Sequence, residues 1–474
     1  MKYLKKFANH TAYEAYVATD YPKPNVSLCE QENEVHYNPY VHDYADDYLT
    51  FVAKENGTFT FTPQNSNVIS YSTDGGETWT EGNSVTVSNG DKVMWKGTMT
   101  PSSSGIGKFG STGNFDVQGN AMSLLFGDNY KGQIDLTEKN YAFYRLFYNN
   151  TKVASAENLS LPATTLAQSC YYSMFSFCAS LTTAPELPAD TLVEGCYKQM
   201  FRSCESLVNA PQLSTTTLAN NCYQGMFQGC TSLTTAPELP ATTLAGSCYS
   251  SMFQGCTSLT TAPVLPVTTL ASGCYLNMFY GCTSLEEAPE LPAETLAGSC
   301  YNSMFFGCTS LTRAPELPAT TLAESCYKSM FSGCTSLTTA PSVLPATTLA
   351  EHCYYEMFKG CTSLTTAPSV LPATTLADFC YYEMFYGCTS LTTAPVLPAT
   401  TFAYRCYQSM FQGCTSLNYI KAMFTTTPST TTTDNWVKGV SATGTFVKNS
   451  TARWTNTFTT YAIPTGWTVE TASA

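Results

Sequence analysis

Thr321-Leu322-Ala323-Glu324-Ser325-Cys326-Tyr327-Lys328-Ser329-Met330-Phe331-Ser332-Gly333, followed by Cys334-Thr335-Ser336-Leu337-Thr338-Thr339-Ala340-Pro341, decides the fold. Two periodicities meet in it. Leu322, Cys326 and Met330 stand at i, i+4 and i+8, the stripe of a short helix, with Pro318 and Thr320-Thr321 as a start signal and Gly333 as a stop. The stretch from Cys334 is rich in β-formers and ends at a proline, which predicts a strand of about three or four residues.

The same pattern recurs on both sides. Cys170, 196, 222, 248, 274, 300, 326, 353, 380 and 406 are each followed eight residues later by a second cysteine, from Cys178 to Cys414. The steps are 26 residues, with two of 27 where Pro-Ser-Val-Leu-Pro carries one extra residue, at Pro341–Pro345 and Pro368–Pro372. An insertion that leaves the frame intact marks a loop. Tyr follows the first cysteine in every copy, Met-Phe recurs from Met174-Phe175 to Met410-Phe411, and Leu recurs from Leu181 to Leu417. One such unit cannot bury its apolar stripe, but stacked units share a continuous core, so the chain reads as a solenoid of ten coils. The inward set is expected to be both cysteines, Met-Phe and the Leu of Thr-Ser-Leu, with the Ala and two Leu of the Ala-Pro-x-Leu-Pro-Ala-Thr-Thr-Leu run.

Phe-x-x-Cys-x-x-Leu followed by Leu-Pro and a second Leu resembles the BspA-like (Bacteroides surface protein type) leucine-rich repeat over about residues 161–418. The resemblance implies an α/β solenoid, each coil a strand plus a helix, and surface adhesins as relatives; the family also occurs in phages of gut bacteria. The chain departs from the family where Leu-Thr-Thr-Ala-Pro replaces the usual Leu-x-x-Ile-x-Ile-Pro, and the early proline should narrow the sheet.

The flanks differ from the repeats. Residues 1–50 hold a capping box at Thr11-Ala12-Tyr13-Glu14 and a hairpin signal, Val26–Cys29 against Glu34–Tyr37. This stretch resembles N-terminal modules of tail-fibre-like structural proteins of gut Bacteroidales phages, which implies an anchoring or docking role and a trimer as one assembly. Residues 51–155 alternate, as in Thr58-Phe59-Thr60-Phe61 and Lys92-Val93-Met94-Trp95, and read as a β-sandwich-like domain. The solenoid is placed at 156–418, and 419–474, with Trp436, Trp454 and Trp467, reads as a β-rich C-terminal cap over its open end.

Composition narrows the function. Net charge is −13 with Lys+Arg 22 against Asp+Glu 35, which argues against nucleic acid as a partner and against docking on anionic lipid. No apolar run reaches the length of a membrane-spanning helix, so no membrane insertion is expected, and the basic start at Met1 is followed by no secretory h-region. The repeat cysteines have neither the close spacing nor the histidines of a zinc site, and read as small, buried, reduced core residues. His36 and His42, near Asp46 and Asp47, read as a Tyr-rich strip rather than a metal site. No metal and no cofactor are expected. Ser72-Thr73-Asp74-Gly75-Gly76-Glu77-Thr78-Trp79 resembles the Asp-box of sialidases and other β-propeller proteins, a hairpin brace that is not catalytic, and it occurs once.

No nucleophile–base order, phosphate loop or dinucleotide fingerprint is present, so the chain reads as non-enzymatic, a glycan-active enzyme being the remote alternative. The positions flanking the first Cys-Tyr and following Phe vary between copies, and aromatics gather there in the later repeats: Tyr280, Phe306, Tyr355, Tyr382, Tyr386 and Tyr404. These are the expected ligand-binding residues, able to stack on sugar rings, for a surface glycan or protein ligand. The expectation is a phage virion attachment protein assembled in the host cytoplasm; the alternative is a bacterial cell-surface adhesin.

Overall fold

A computed structural model describes residues 43–454 and 461–472, together with the backbone of 28–31 and 34–37. The capping box at Thr11–Glu14 lies outside these residues. The expected hairpin is present: β1 (Leu28–Gln31) pairs antiparallel with β2 (Glu34–Tyr37).

Alternating residues then build two sheets. One has six strands in the order β11-β10-β3-β8-β5-β6, from β3 (Leu49–Ala53), β5 (Ile69–Ser72), β6 (Thr80–Glu81), β8 (Lys92–Gly97), β10 (Phe115–Asn120) and β11 (Val153–Ser160). The other is β7-β4-β9, from β4 (Gly57–Pro63), β7 (Ser84–Val87) and β9 (Gly107–Ser111). A one-turn helix, α1 (Ser123–Phe126), lies against β8. Phe51, Phe59, Trp95, Phe109 and Phe115 form the core, with ring centroids as close as 4.7 Å. Alternation predicted this, because every second residue of a strand faces the same side.

The boundary expected between 155 and 156 falls inside β11. That strand pairs in parallel with β10 and, through Ser155 and Thr183, with the first Cys-bearing coil. A coil without cysteine precedes that one: Phe143, Arg145 and Phe147 donate backbone N–H bonds to Cys170, Tyr172 and Met174. Ala142-Phe143 and Leu146-Phe147 thus stand where later copies have Cys-Tyr and Met-Phe. Phe147 stacks on Phe109 of the sandwich on one side and on Phe175 of the next coil on the other, so the two cores are continuous.

The coils contain no helix among the described residues, which corrects the α/β expectation. Each Cys-Tyr-x-x-Met-Phe-x-Gly-Cys segment is a chain of tight turns. Its residues adopt positive φ at every fourth position, as at Ser169, Ser173 and Phe177, or Gly273, Asn277 and Gly281. N–H groups of alternate residues close turns three residues back, as Cys170 to Ala167 and Met174 to Tyr171. The residues between them cross to the next coil: Ser169 to Glu194, Tyr171 to Cys196, Ser173 to Lys198, Phe175 to Met200 and Phe177 to Arg202. An α-helix would use every N–H internally and leave none for a neighbour. Gly, Ser and Asn supply most of the left-handed positions; Gly carries that geometry without a Cβ penalty and Asn tolerates it.

The strand side is narrow, as the Ala-Pro step predicted. It consists of parallel bridges one residue wide, such as Asn209 to Thr235, Thr235 to Thr261 and Thr261 to Glu287. Leu233, Leu259 and Leu285 are fully buried beside those in-register bridges. At the far end β12 (Tyr419–Ala422), β13 (Thr445–Lys448) and β14 (Thr468–Thr471) form a regular parallel sheet. Because Thr393 bridges to Tyr419, residues from 419 continue the coil stack, with Trp436 buried against the rings of Tyr407 and Phe411.

Inside, every repeat position forms a column. The tyrosines from Tyr171 to Tyr407 stack at 5.5–6.0 Å between centroids with planes 3–12° apart. These tyrosines, absent from the expected inward set, are buried throughout. All twenty repeat cysteines are free and buried. The second of each pair donates its S–H to the carbonyl of the Phe one coil back, as Cys204 to Phe175 and Cys256 to Phe227, at 3.1 Å. Cysteine therefore fills a small site and also ties adjacent coils.

Candidate functional site

The turn side has inward columns that do not vary and outward columns that do. The residue after Tyr runs Tyr172, Lys198, Gln224, Ser250, Leu276, Asn302, Lys328, Tyr355, Tyr382, Gln408. The residue after Phe runs Ser176, Arg202, Gln228, Gln254, Tyr280, Phe306, Ser332, Lys359, Tyr386, Gln412. In-register stacking brings like positions of successive coils side by side, so adjacent aromatics become pairs.

Tyr280 and Phe306 form one pair, 4.6 Å between centroids and 5° between planes. Tyr355 and Tyr382 form another, at 4.7 Å and 5°. Beside it His352 stacks on Phe379 at 4.7 Å, and Phe379 meets Tyr404 edge-on at 5.4 Å. Tyr386 lies under the Lys359 ammonium at 5.4 Å. Tyr355, Tyr382, Tyr386 and Tyr404 thus share one patch, while Tyr280 and Phe306 form a separate one earlier in the stack. Of the six, Tyr404 alone is exposed; the others are half-buried against one another.

That arrangement limits which ring faces a sugar could stack on. In the two parallel pairs each ring covers its neighbour's face, and the Lys328 ammonium lies 4.8 Å from the Tyr355 ring. The facing sides of the paired rings are thus closed to a partner, while ring edges and the phenol hydroxyls of Tyr280, Tyr355 and Tyr382 remain as contact groups.

Charge reinforces the patch. Lys359 Nζ lies 2.7 Å from both Glu356 Oε1 and Glu383 Oε2, and Ser329 Oγ donates to Glu356 at 3.2 Å. Burial works against the Lys359 charge, but the two glutamate hydrogen bonds outweigh it and hold the ammonium well above its usual range. Burial, then the charge and hydrogen bond of Glu383, push the Tyr382 phenol up to about 12. Burial, then Glu356 and Glu383, raise Tyr355 as well. These phenols remain hydrogen-bond donors at any physiological pH.

Sequence reasoning missed a second aromatic group at the start of the stack. Tyr144 and Tyr172 lie 5.1 Å apart, and Tyr148 meets Phe177 edge-on at 5.5 Å. Tyr172 occupies a variable position open to the same reading as Tyr355, while Phe177 stands where most copies have Gly before the second cysteine. Tyr144 and Tyr148 belong to the coil without cysteine, where the register was hidden.

Elsewhere, the Ser72–Trp79 stretch links β5 to β6. Asp74 accepts the Thr78 N–H at 3.0 Å and the Ser72 hydroxyl at 2.7 Å, and the hydrogen bonds from Thr78 and Ser72 hold its carboxyl far below the usual range. Trp79 packs on Tyr48 at 4.8 Å and under the Lys96 ammonium at 4.1 Å, and Lys96 pairs with Asp128 at 2.7 Å. On the strand side a groove of about 520 Å³ opens where Glu286 and Glu287 replace the usual Thr-Thr, lined also by Glu290, Arg313 and Glu316. Among the described residues no cluster of His, Cys, Asp and Glu could hold a metal ion, and no helix is long and apolar enough to cross a membrane. The side chains of His36 and His42 lie outside the described residues.

A family model described as BspA type leucine rich repeat region matches in six copies, over residues 139–260, 249–392 and 354–432. Its start at 139 takes in the coil without cysteine. The match does not reach residues 1–50, and no finding supports the tail-fibre-like module expected there. No curated protein matches the chain.

Proposed function

We propose that this chain, which belongs to the BspA-type leucine-rich-repeat family, is a non-enzymatic recognition protein that adheres at a surface through the outward columns of its turn side. Family membership points to surface adhesion or recognition. The carrier is a bacterial cell, on the same ground. A virion carrier rested on residues 1–50, and the family model lends it nothing.

One observation carries the choice of face. The inward columns repeat one residue type from coil to coil, while the outward columns beside them vary and collect Tyr355, Tyr382, Tyr386 and Tyr404 in one patch. Tyr gives a large, stiff contact at low entropic cost, and Ser, Gly, Asn and Gln around it give adaptable hydrogen bonds. Ring edges, phenol hydroxyls and the Glu356–Lys359–Glu383 group suit a protein or glycan rich in hydrogen-bonding groups.

The test is the triple variant Tyr355→Ser, Tyr382→Ser, Tyr386→Ser. Ser250 and Ser332 already occupy the same columns, so the coils should fold unchanged. Loss of one such anchor costs on the order of 1–2 kcal/mol when it is a hot spot. Adhesion of the purified chain to target cells should fall at least tenfold; undiminished adhesion by a folded variant rejects this face.

A further inference from the structure

The first coils carry a different patch. Arg145 lies 4.9 Å from the Tyr144 ring and 4.6 Å from the Tyr148 ring; Lys198 lies 5.4 Å from Tyr172, and Arg202 5.4 Å from Phe177. In-register stacking places Tyr144, Tyr172 and Lys198 in one column and Tyr148, Ser176 and Arg202 in the next. Among the described residues none of the three cations makes an ion pair. Lys359, in the later patch, is held by two glutamates. Glu194, in the same coil as Lys198, accepts instead from Gln168 Nε2 at 3.3 Å.

This gathering stands out in a chain of net charge −13 with only 22 basic residues. Three cations on adjacent columns, each over a ring and none paired with a carboxylate among the described residues, leave a local positive field. Local complementarity therefore selects an anionic ligand. The rings differ from the later patch as well. Tyr144 and Tyr172 are tilted by 45°, and Tyr148 and Phe177 by 75°, so these aromatics do not close face to face. Phenol hydroxyls and ring edges beside three cations fit a sugar that carries a carboxylate: the sugar hydroxyls meet the Tyr144, Tyr148 and Tyr172 phenols while the carboxylate meets Arg or Lys, which Arg can grip with two N–H groups.

We propose that Tyr144, Arg145, Tyr148, Tyr172, Lys198 and Arg202 form a binding site for an acidic polysaccharide of the uronic-acid type. The site is separate from the Tyr355 patch, so either can fail without the other.

The experiment uses the full chain and two matched probes, polygalacturonate and its fully methyl-esterified form, which has the same backbone without charge. Binding is followed by biolayer interferometry at low salt and at about 0.5 M NaCl, roughly the range over which exposed charge pairs become screened. The variant is Arg145→Asn, Lys198→Gln, Arg202→Gln. Gln224 and Gln228 hold the equivalent places one coil on, and Asn tolerates the positive φ of Arg145, so the fold is preserved. The expected result is saturable binding of polygalacturonate, weakened at least tenfold by the variant and by salt, with the methyl ester bound no better than by the variant. Equal binding of ester and acid, or an unchanged variant, overturns the proposal. So does tighter binding of polyglutamate than of polygalacturonate, which would assign the patch to an acidic polypeptide. The Tyr355 triple variant should bind polygalacturonate like the native chain; a parallel loss there would also overturn the assignment.

Discussion

The two sides of each coil are held by different means. On the turn side, adjacent coils exchange a backbone hydrogen bond at every second residue, add an S–H bond from cysteine and stack two aromatic columns. On the strand side they share bridges one residue wide, mostly between threonines. Leucine-rich repeats are usually described from their sheet, yet here the sheet is the thinner seam. Stability and variation therefore sit on the same side of the molecule, in alternate columns: inward residues fix the stack, and outward ones are free to change.

The largest effect that would expose this asymmetry is alkaline. Burial pushes the thiols up, Cys248 to about 11 and Cys230, Cys282 and Cys300 to about 12, from an ordinary value of 9.0. Unfolded thiols ionise near pH 9 while the folded ones stay protonated. The folded state thus binds more protons above that pH, and its stability is complete below about pH 8 and falls as pH rises toward 12. Each thiol contributes roughly 1.4 kcal/mol per pH unit in that window. With many such thiols on one side of the coils, unfolding followed by circular dichroism should be abrupt between about pH 9 and 11. A chain that keeps its far-UV signal at pH 12 would show that the thiols are not buried as described.

A paired substitution sharpens the comparison at one level. Phe279 stands in the inward column between Phe253 and Phe305, with neighbours at 5.7 and 5.6 Å. Phe279→Ala should cost about 3–5 kcal/mol. Thr261→Ala, on the opposite side of the preceding coil, removes an exposed side chain and should stay within about 0.5 kcal/mol. Urea unfolding of both variants measures the difference. Similar losses would mean that the strand side carries as much of the stack as the turns do.

Much of this was legible. The two cysteine registers, Met-Phe and the Leu of Thr-Ser-Leu gave the period, the stacking and most of the core, because a solenoid repeats its inward residues. The extra residue at Pro341–Pro345 marked a loop. The helix was misread because Leu322, Cys326 and Met330 fall at a spacing of four in both structures. What separates them is the left-handed residue every fourth position: Ser325, Ser329 and Gly333 in that copy, and small residues at the same places in most others. Gly333 reads equally well as a helix stop, and serine at the other two places carries no left-handed signal of its own. The aromatic positions were visible, but their pairing was not, since it depends on which columns lie a coil apart. The cationic patch was hidden because Arg145, Tyr144 and Tyr148 belong to a coil with no cysteine to set its register.

The smallest expected effect tests the interior of the turn side itself. The hydroxyls of Tyr171 and Tyr327 are buried with no hydrogen-bond partner, whereas Tyr223 Oη lies 3.4 Å from Thr215 Oγ1. Thr215 replaces the alanine of Leu-Pro-Ala, and Ala319 is the matching residue eight places before Tyr327. A buried hydroxyl without a partner loses its water and gains nothing for it, so Tyr327→Phe should leave stability unchanged or raise it by up to about 1 kcal/mol, while Tyr223→Phe should lower it by about 0.5–1 kcal/mol. Ala319→Thr should supply the missing partner and stabilise the chain when Tyr327 is present, and fail to do so in the Tyr327→Phe background. A double-mutant cycle by urea unfolding reads that coupling directly. Equal losses from Tyr223→Phe and Tyr327→Phe would mean that both hydroxyls are satisfied, and that the tyrosine column is kept for its polar ends as much as for its rings.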